Sequence, residues 1–163
     1  MSSCTITQPA QKQNVGMGQT ALAKAPGLLC SVLGSCVGLA LYHPRLRTGA
    51  LAHIVLPTAS GRGALPGKFA DTALPHMLTE LLKAGIPREG LVAKIAGGAC
   101  MFGVSGPLQI GDSNIEAVQT LLAKENIRII AKDVGGQKGR RVTLDCSTGE
   151  LLVEIAGHPK KVL

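Results

Sequence analysis

Residues 25–44, APGLLCSVLGSCVGLALYHP, decide how this chain can fold, because the stretch contains no Asp, Glu, Lys or Arg. Glycines divide it into apolar runs that are too short to span a bilayer. Short apolar runs bounded by glycine and proline are typical of strands buried on both faces. The stretch therefore predicts two successive buried strands, at 28–33 and 36–42, and no insertion into a membrane.

Two helices are predicted downstream of these strands. Across residues 69–84 apolar side chains recur at helical spacing, with Asp71 as a candidate N-cap and Gly85 after the last repeat. The second helix is predicted to begin at Ser113, which with Glu116 forms the S-x-x-E pattern of a capping box before an apolar face. Each helix is expected to pack one side against a sheet.

The remaining apolar runs are short and bounded by turn residues, which is typical of strands. They lie at 49–56, 91–96, 127–131, 141–144 and 151–155. The resulting order, β-β-β-α-β-α-β-β-β, has no internal repeat or linker and predicts a single α/β domain, a layered sandwich with helices packed on sheet. Residues 1–14 are expected to be a flexible N-terminal leader, and residues 15–163 the domain.

Composition and charge narrow the classes of function. The chain has 163 residues, 45% of them hydrophobic, and can bury a core, which must be aliphatic because aromatics make up only 2%. The net charge of +7 favours acidic partners. Scarce aromatics and the lack of an RRM, KH or zinc-finger pattern argue against nucleic acid. Five cysteines without a C-x-x-C pair, and no secretory signal, indicate reduced thiols and a cytoplasmic protein.

Cysteine and histidine are the reactive residue types, and two of them form a candidate catalytic pair. Cys36 lies between Gly34 and Gly38, where backbone N–H groups could face an incoming carbonyl. His53 is the one polar side chain in the apolar run AHIVLP. Neighbouring strands could join this thiol and imidazole as nucleophile and base. The competing interpretations are a small core cysteine and a hydrogen-bonded core histidine. No zinc-type spacing of Cys and His occurs, so no metal site is predicted.

Several short motifs occur in order along the chain. They are VGMG at 15–18, LGSCV at 33–37, AHIVLP at 52–57, AKIAGGA at 93–99, I-G-x-x-N at 110–114 and D-x-G-G-x-x-G-R at 133–140. Together, from about residue 16 to residue 155, they resemble the CheD family of chemoreceptor glutamine deamidases. The order of several separate motifs makes this resemblance far more specific than any single motif would be.

The resemblance implies a fold similar to that of the cytotoxic necrotizing factor deamidases and a protein-glutamine deamidase activity. Selected glutamines of methyl-accepting chemotaxis receptors would be hydrolysed to glutamate through a thioester on Cys36, with His53 as the proton carrier. Backbone N–H groups around Gly34, Ser35 and Cys36 are candidates to hold the oxyanion, and no cofactor is required. The expected partners are chemoreceptor cytoplasmic helices and, as in some family members, the phosphatase CheC.

One position departs from the family pattern. The family usually has a Thr six residues before the nucleophile, where it orients the histidine, and this chain has Cys30 there. A thiol is a weaker hydrogen-bond partner than a hydroxyl. Ser31 could substitute, but strand alternation is expected to point it to the opposite face unless a bulge intervenes. The backbone carbonyl of Cys30 is a further candidate for this role.

Two other functions remain open at this point. The first is a non-catalytic CheD-like adaptor that binds chemoreceptors or CheC without turnover, which the missing Thr would favour. The second is a thiol redox protein that uses a Cys30–Cys36 disulfide. The enzyme needs Cys36 for turnover, whereas the adaptor would keep binding its partner after Cys36→Ala.

Overall fold

The computed structural model describes residues 10–63, 65–101 and 109–163. Its helices are α1 (Ala70–Lys83) and α2 (Ile110–Lys124), and a 3-10 turn lies at Pro66–Lys68. Its strands are β1 (Lys12–Asn14), β2 (Thr20–Lys24), β3 (Leu28–Leu33), β4 (Val37–His43), β5 (Thr48–Ile54), β6 (Val92–Gly97), β7 (Arg128–Val134), β8 (Arg140–Asp145), β9 (Leu151–Glu154) and β10 (Lys161–Val162).

The strands form two five-stranded sheets that stack as separate layers. The first sheet has the order β1-β3-β8-β9-β10, and the second has the order β2-β5-β4-β6-β7. One apolar cluster draws side chains from both sheets, and another joins the second sheet to the two helices. The layers are therefore first sheet, second sheet and helices, which confirms the predicted layered α/β fold.

The central strands β4 and β5 explain the uncharged stretch in the sequence. Every residue of both strands is buried. Val37 and Leu39 face the helices, whereas Ala40 and Tyr42 face the first sheet. A strand covered on both faces has no position where a charge can reach water, so its sequence is a continuous apolar run.

Three strands of the structure are missing from the prediction, and all three lie at the ends of sheets or pair only briefly. β1 pairs in parallel with β3, although all of its side chains are exposed. It includes residues 12–14 of the predicted leader, so that this part is a strand, while residues 1–9 lie outside the described residues. β2 and β10 are likewise edge strands. Exposed edge strands need no apolar alternation, so a pattern search does not detect them.

The predicted helix starts are wrong at both helices. The N-cap of α2 is Gln109, and Ser113 lies within the helix, its backbone N–H donating to the Gln109 carbonyl. Ser113 and Glu116 are both exposed, so their spacing reflects a solvated helix face. In α1 the carboxylate of Asp71 accepts the Ala59 N–H at 3.0 Å and holds a preceding loop instead of capping the helix. Neither described helix is long and apolar enough to cross a membrane.

Candidate active site

Strand register brings Cys36 and His53 to the same face of the second sheet. Gly38 of β4 lies directly opposite His53 of β5 in the antiparallel ladder. Cys36 precedes Gly38 by two residues and therefore shares its face, which makes it the diagonal neighbour of His53. Both residues are buried, at 8% and 5% exposure, and both point into the space between the sheets. The register therefore places the two residues near each other on one face of the sheet.

The hydrogen bonds of His53 determine which ring nitrogen carries the proton. Nδ1 lies 2.9 Å from Ser31 Oγ and 3.3 Å from the Val15 carbonyl oxygen. The Ser31 hydroxyl donates its own proton to the Val15 carbonyl at 2.7 Å, so it can only accept from the ring. A carbonyl likewise only accepts. Nδ1 therefore carries the hydrogen, and Nε2 keeps a free lone pair that can act as a base.

Ser31, and not Cys30, is the side chain that meets the imidazole. Ser31 lies on the inner face of β3 with the buried Leu29 and Leu33, whereas Cys30 contacts the Asn14 side chain, Sγ to Oδ1 3.8 Å. The predicted placement of Ser31 on the opposite face is therefore wrong. Cys30 and Ser31 do alternate along β3, but it is Ser31 and not Cys30 that lies on the face toward the imidazole.

The loop that carries the nucleophile is held by its carbonyl groups. The Gly34 carbonyl accepts from Ala99 N–H at 3.0 Å, and the Cys36 carbonyl accepts from Gly98 N–H at 2.8 Å. The Ser35 carbonyl accepts from Asn114 Nδ2 at 3.2 Å. In a trans peptide the N–H points away from the preceding carbonyl. The N–H groups of Ser35 and Cys36 therefore point away from these partners.

Burial sets the charge state of the pair. Desolvation raises the pKa of the Cys36 thiol above its ordinary value. Desolvation also lowers the pKa of His53, and the hydrogen bond to the Val15 carbonyl opposes that effect in part. Burial thus disfavours the charged form of each group and favours a neutral thiol with a neutral imidazole. Such a pair is suited to general-base catalysis, in which the proton moves as the sulfur attacks.

Sequence reasoning missed two groups at this site. The Val15 carbonyl contacts both Ser31 and His53, and Asn114 hydrogen-bonds the nucleophile loop. Each lies in a motif that the sequence analysis had noted, VGMG and I-G-x-x-N. Every residue has a backbone carbonyl, so the role of Val15 cannot be predicted from its identity. A polar Asn on an otherwise apolar helix face, by contrast, could have indicated Asn114.

Comparisons with known proteins identify the family of the chain. The family model for CheD chemotactic sensory transduction matches residues 55–155. A Symbiobacterium thermophilum protein named probable chemoreceptor glutamine deamidase CheD is 47% identical, with 88% of this chain and 92% of the relative covered. The chemoreceptor glutamine deamidase CheD of Thermotoga maritima is 43% identical, with 90% and 93% covered. Spans this long include Cys36 and His53. The chain belongs to the CheD family.

Proposed function

We propose that this chain is a glutamine deamidase that converts side-chain amides of chemoreceptor glutamines to carboxylates. The observation that carries the proposal is the hydrogen-bonded series Val15–Ser31–His53, which leaves Nε2 of His53 as the basic nitrogen of a ring on the same sheet face as Cys36. The names of the relatives, chemoreceptor glutamine deamidase CheD, support the reaction and the class of substrate.

The first half-reaction forms a thioester. Nε2 of His53 accepts the thiol proton of Cys36 as Sγ attacks the carboxamide carbon of the glutamine. The carbonyl oxygen of the substrate becomes an oxyanion, which the N–H groups of Ser35 and Cys36 stabilise. The intermediate then collapses with cleavage of the C–N bond. The imidazolium returns its proton to the leaving nitrogen, and ammonia departs.

The second half-reaction regenerates the enzyme. Water occupies the position left by ammonia and attacks the thioester carbon, with His53 accepting its proton. The same N–H groups stabilise the second oxyanion. The C–S bond breaks, Sγ recovers the proton from His53, and the product is a glutamate side chain. These steps use only groups of this chain and water.

In this proposal the orienting role belongs to Ser31. A hydroxyl that donates to the Val15 carbonyl accepts the Nδ1 hydrogen of His53 and stabilises the imidazolium formed in each half-reaction. The substitution of Cys30 at the usual Thr position therefore does not remove the third member of the site. Cys30 faces away from the imidazole.

The proposal extends to partners and cellular location. The net charge of +7 would attract an acidic chemoreceptor surface. On the family resemblance, we propose the phosphatase CheC as a second partner that competes with the receptor, and a cytoplasmic location beside the receptor helices. Competition is measured directly: added CheC should slow turnover and reduce receptor binding in parallel.

The two alternatives from the sequence are less well supported. An adaptor does not need a histidine with a defined tautomer beside a buried thiol. A redox protein would need Cys30 and Cys36 to join, but Cys30 points out of the first sheet whereas Cys36 points between the sheets. The arrangement of these side chains thus favours hydrolysis over both.

Mass spectrometry of a receptor cytoplasmic fragment tests the proposal. The unmodified protein should convert glutamine to glutamate, a mass increase of about one dalton per site, and Cys36→Ala should not. Cys146→Ala is the matched control, because Cys146 is a buried cysteine outside the site and its removal should leave conversion intact. Receptor binding without conversion by the unmodified protein would identify an adaptor instead.

A further inference from the structure

Asn114 is a buried polar side chain for which the reaction as written gives no role. It lies on α2 with 0% exposure, and its Nδ2 donates to two carbonyls, those of Ser35 at 3.2 Å and Val55 at 2.9 Å. Both partners can only accept, so the amide orientation is fixed. Its Oδ1 has no hydrogen-bond partner among the described residues. A buried unpaired oxygen is costly, which indicates that the two donated bonds serve a purpose.

Glycines allow α2 to approach the nucleophile loop closely enough for these bonds. A Cβ on Gly111 would lie 2.5 Å from the Gly98 carbonyl oxygen and 2.8 Å from that of Ala99. A Cβ on Gly98 would lie 2.5 Å from Ile115 Cδ1. The motifs AKIAGGA and I-G-x-x-N are therefore one packing unit. This close packing lets the Asn114 side chain reach the Ser35 carbonyl.

The bond to Ser35 also sets the direction of the Cys36 N–H. The Ser35 carbonyl and the Cys36 N–H belong to one planar trans peptide and point in opposite directions. Holding the carbonyl against Asn114 therefore turns the N–H away from α2. Because this N–H belongs to the nucleophilic residue itself, the oxyanion of an intermediate bonded to Sγ lies within its reach.

The second bond ties the same amide to the strand of the base. Val55 follows His53 by two residues, directly after β5, so its carbonyl moves with the end of that strand. One side chain thus fixes the nucleophile peptide relative to the strand of His53. We propose that Asn114 is a positioning residue that holds the Ser35–Cys36 peptide so that the Cys36 N–H is aimed at the oxyanion. The inference rests on the proposed deamidase function.

Two measurements on Asn114→Ala, Asn114→Asp and Asn114→Ser test this role. The first is kcat and KM for deamidation of a receptor fragment. The second is the rate at which iodoacetamide alkylates Cys36, a direct displacement that develops no oxyanion. Val118→Ala is the matched control, since Val118 lies one turn along α2, is 1% exposed and contacts no residue of the site by hydrogen bond.

We expect kcat to fall about 100-fold in Asn114→Ala and Asn114→Asp, the typical effect of losing one oxyanion donor. KM and the alkylation rate should stay within about threefold, because neither depends on the oxyanion. Asn114→Ser keeps a shorter hydrogen-bond donor, so its kcat should lie between those of Asn114→Ala and the unmodified protein. Val118→Ala should keep the kcat of the unmodified protein while losing thermal stability.

Three results would overturn the inference. Near-normal kcat in Asn114→Ala would show that the Ser35–Cys36 peptide does not need the hydrogen bond from Asn114. Alkylation that falls in parallel with kcat, or an equal loss of kcat in Val118→Ala, would show that Asn114 only supports the fold. Failure of the unmodified protein to deamidate at all would reject the proposed function and this role together, a result distinct from the other two.

Discussion

Ser31 Oγ and His53 Nδ1 are 2.9 Å apart, and this hydrogen bond joins the two sheets of the molecule. Ser31 belongs to β3 of the first sheet, and His53 belongs to β5 of the second. The bond fixes the imidazole ring through a residue adjacent to the one that the family pattern indicates. The site is therefore assembled by the packing of one sheet on the other, with the nucleophile and base on one side and the orienting hydroxyl on the other.

Replacing Ser31 should lower turnover strongly. Ser31→Ala removes the nearer of the two acceptors for the Nδ1 hydrogen and leaves only the Val15 carbonyl at 3.3 Å, so the ring is held less firmly and we expect kcat to fall by up to about 100-fold. Ser31→Thr keeps a hydroxyl and should retain most of the rate. The measurement is steady-state deamidation of a receptor fragment. Cys30→Thr is the informative comparison: a rise in rate would show that the orienting hydroxyl is missing from the natural protein after all.

The pH dependence should show an acid limb below the ordinary histidine range. His53 acts as a base only when neutral, and burial lowers its pKa from the usual 6.5. Activity is therefore retained as the pH falls through 6.5 and is lost only at lower pH, where the ring takes up a proton. The pH profile of kcat/KM measures this directly. A midpoint at or above 6.5 would contradict a desolvated histidine base.

Alkylation of Cys36 should require alkaline pH. Because burial raises its pKa above the ordinary 9.0, the thiol stays protonated at neutral pH and reacts slowly with iodoacetamide. The rate should rise with pH through a midpoint above 9.0. Peptide mapping after alkylation separates Cys36 from the other cysteines. A rate plateau from pH 5 to pH 8 would instead identify a thiolate–imidazolium pair in the resting enzyme.

A methyl group at Gly111 should loosen the packing of α2. In Gly111→Ala the added Cβ meets the backbone of Gly98 and Ala99, which cannot move aside as a flexible side chain could. We expect the free energy of unfolding to fall by about 2 kcal/mol, as in other overpacked cores. Chemical denaturation provides the value. Gly63→Ala, which meets nothing within 4 Å, should change it by less than about 0.5 kcal/mol, and equal losses in both variants would reject the packing argument.

The buried ion pair between Arg140 and Asp133 should contribute more to the free energy of unfolding than an exposed arginine does. The side chains are 4% and 14% exposed, the N–O distance is 2.5 Å, and Arg140 also donates to the carbonyls of Gly135 and Lys138. Arg140→Met would leave Asp133 and these carbonyls without their buried donor, at a cost of about 3 kcal/mol in unfolding free energy. Arg141→Met, at the adjacent exposed position, is the control. A similar small loss in both would contradict the expectation.

The sequence was sufficient to propose the pair Cys36 and His53, because an uncharged stretch and a single polar residue in an apolar strand are visible in residue identity. It was insufficient for Ser31, because residue identity does not show which of two adjacent strand residues faces the imidazole. The edge strands β1 and β10 were missed because exposed strands carry no apolar period, and the partly buried β2 was missed because it is short and has only one large apolar residue, Leu22. The contribution of Val15 was missed because it comes from the backbone carbonyl, a group that every residue has.

The bond between Ser31 and His53 has a consequence for how the enzyme fails under stress. The hydrogen bonds within each sheet can survive a small slide of one sheet over the other, whereas this bond cannot. Heating or pressure that shifts the layers should therefore disorder the imidazole while the strands remain intact. The rate of deamidation is, in this sense, a measure of the alignment of the two sheets, and it should decline before any spectroscopic signal of secondary structure does.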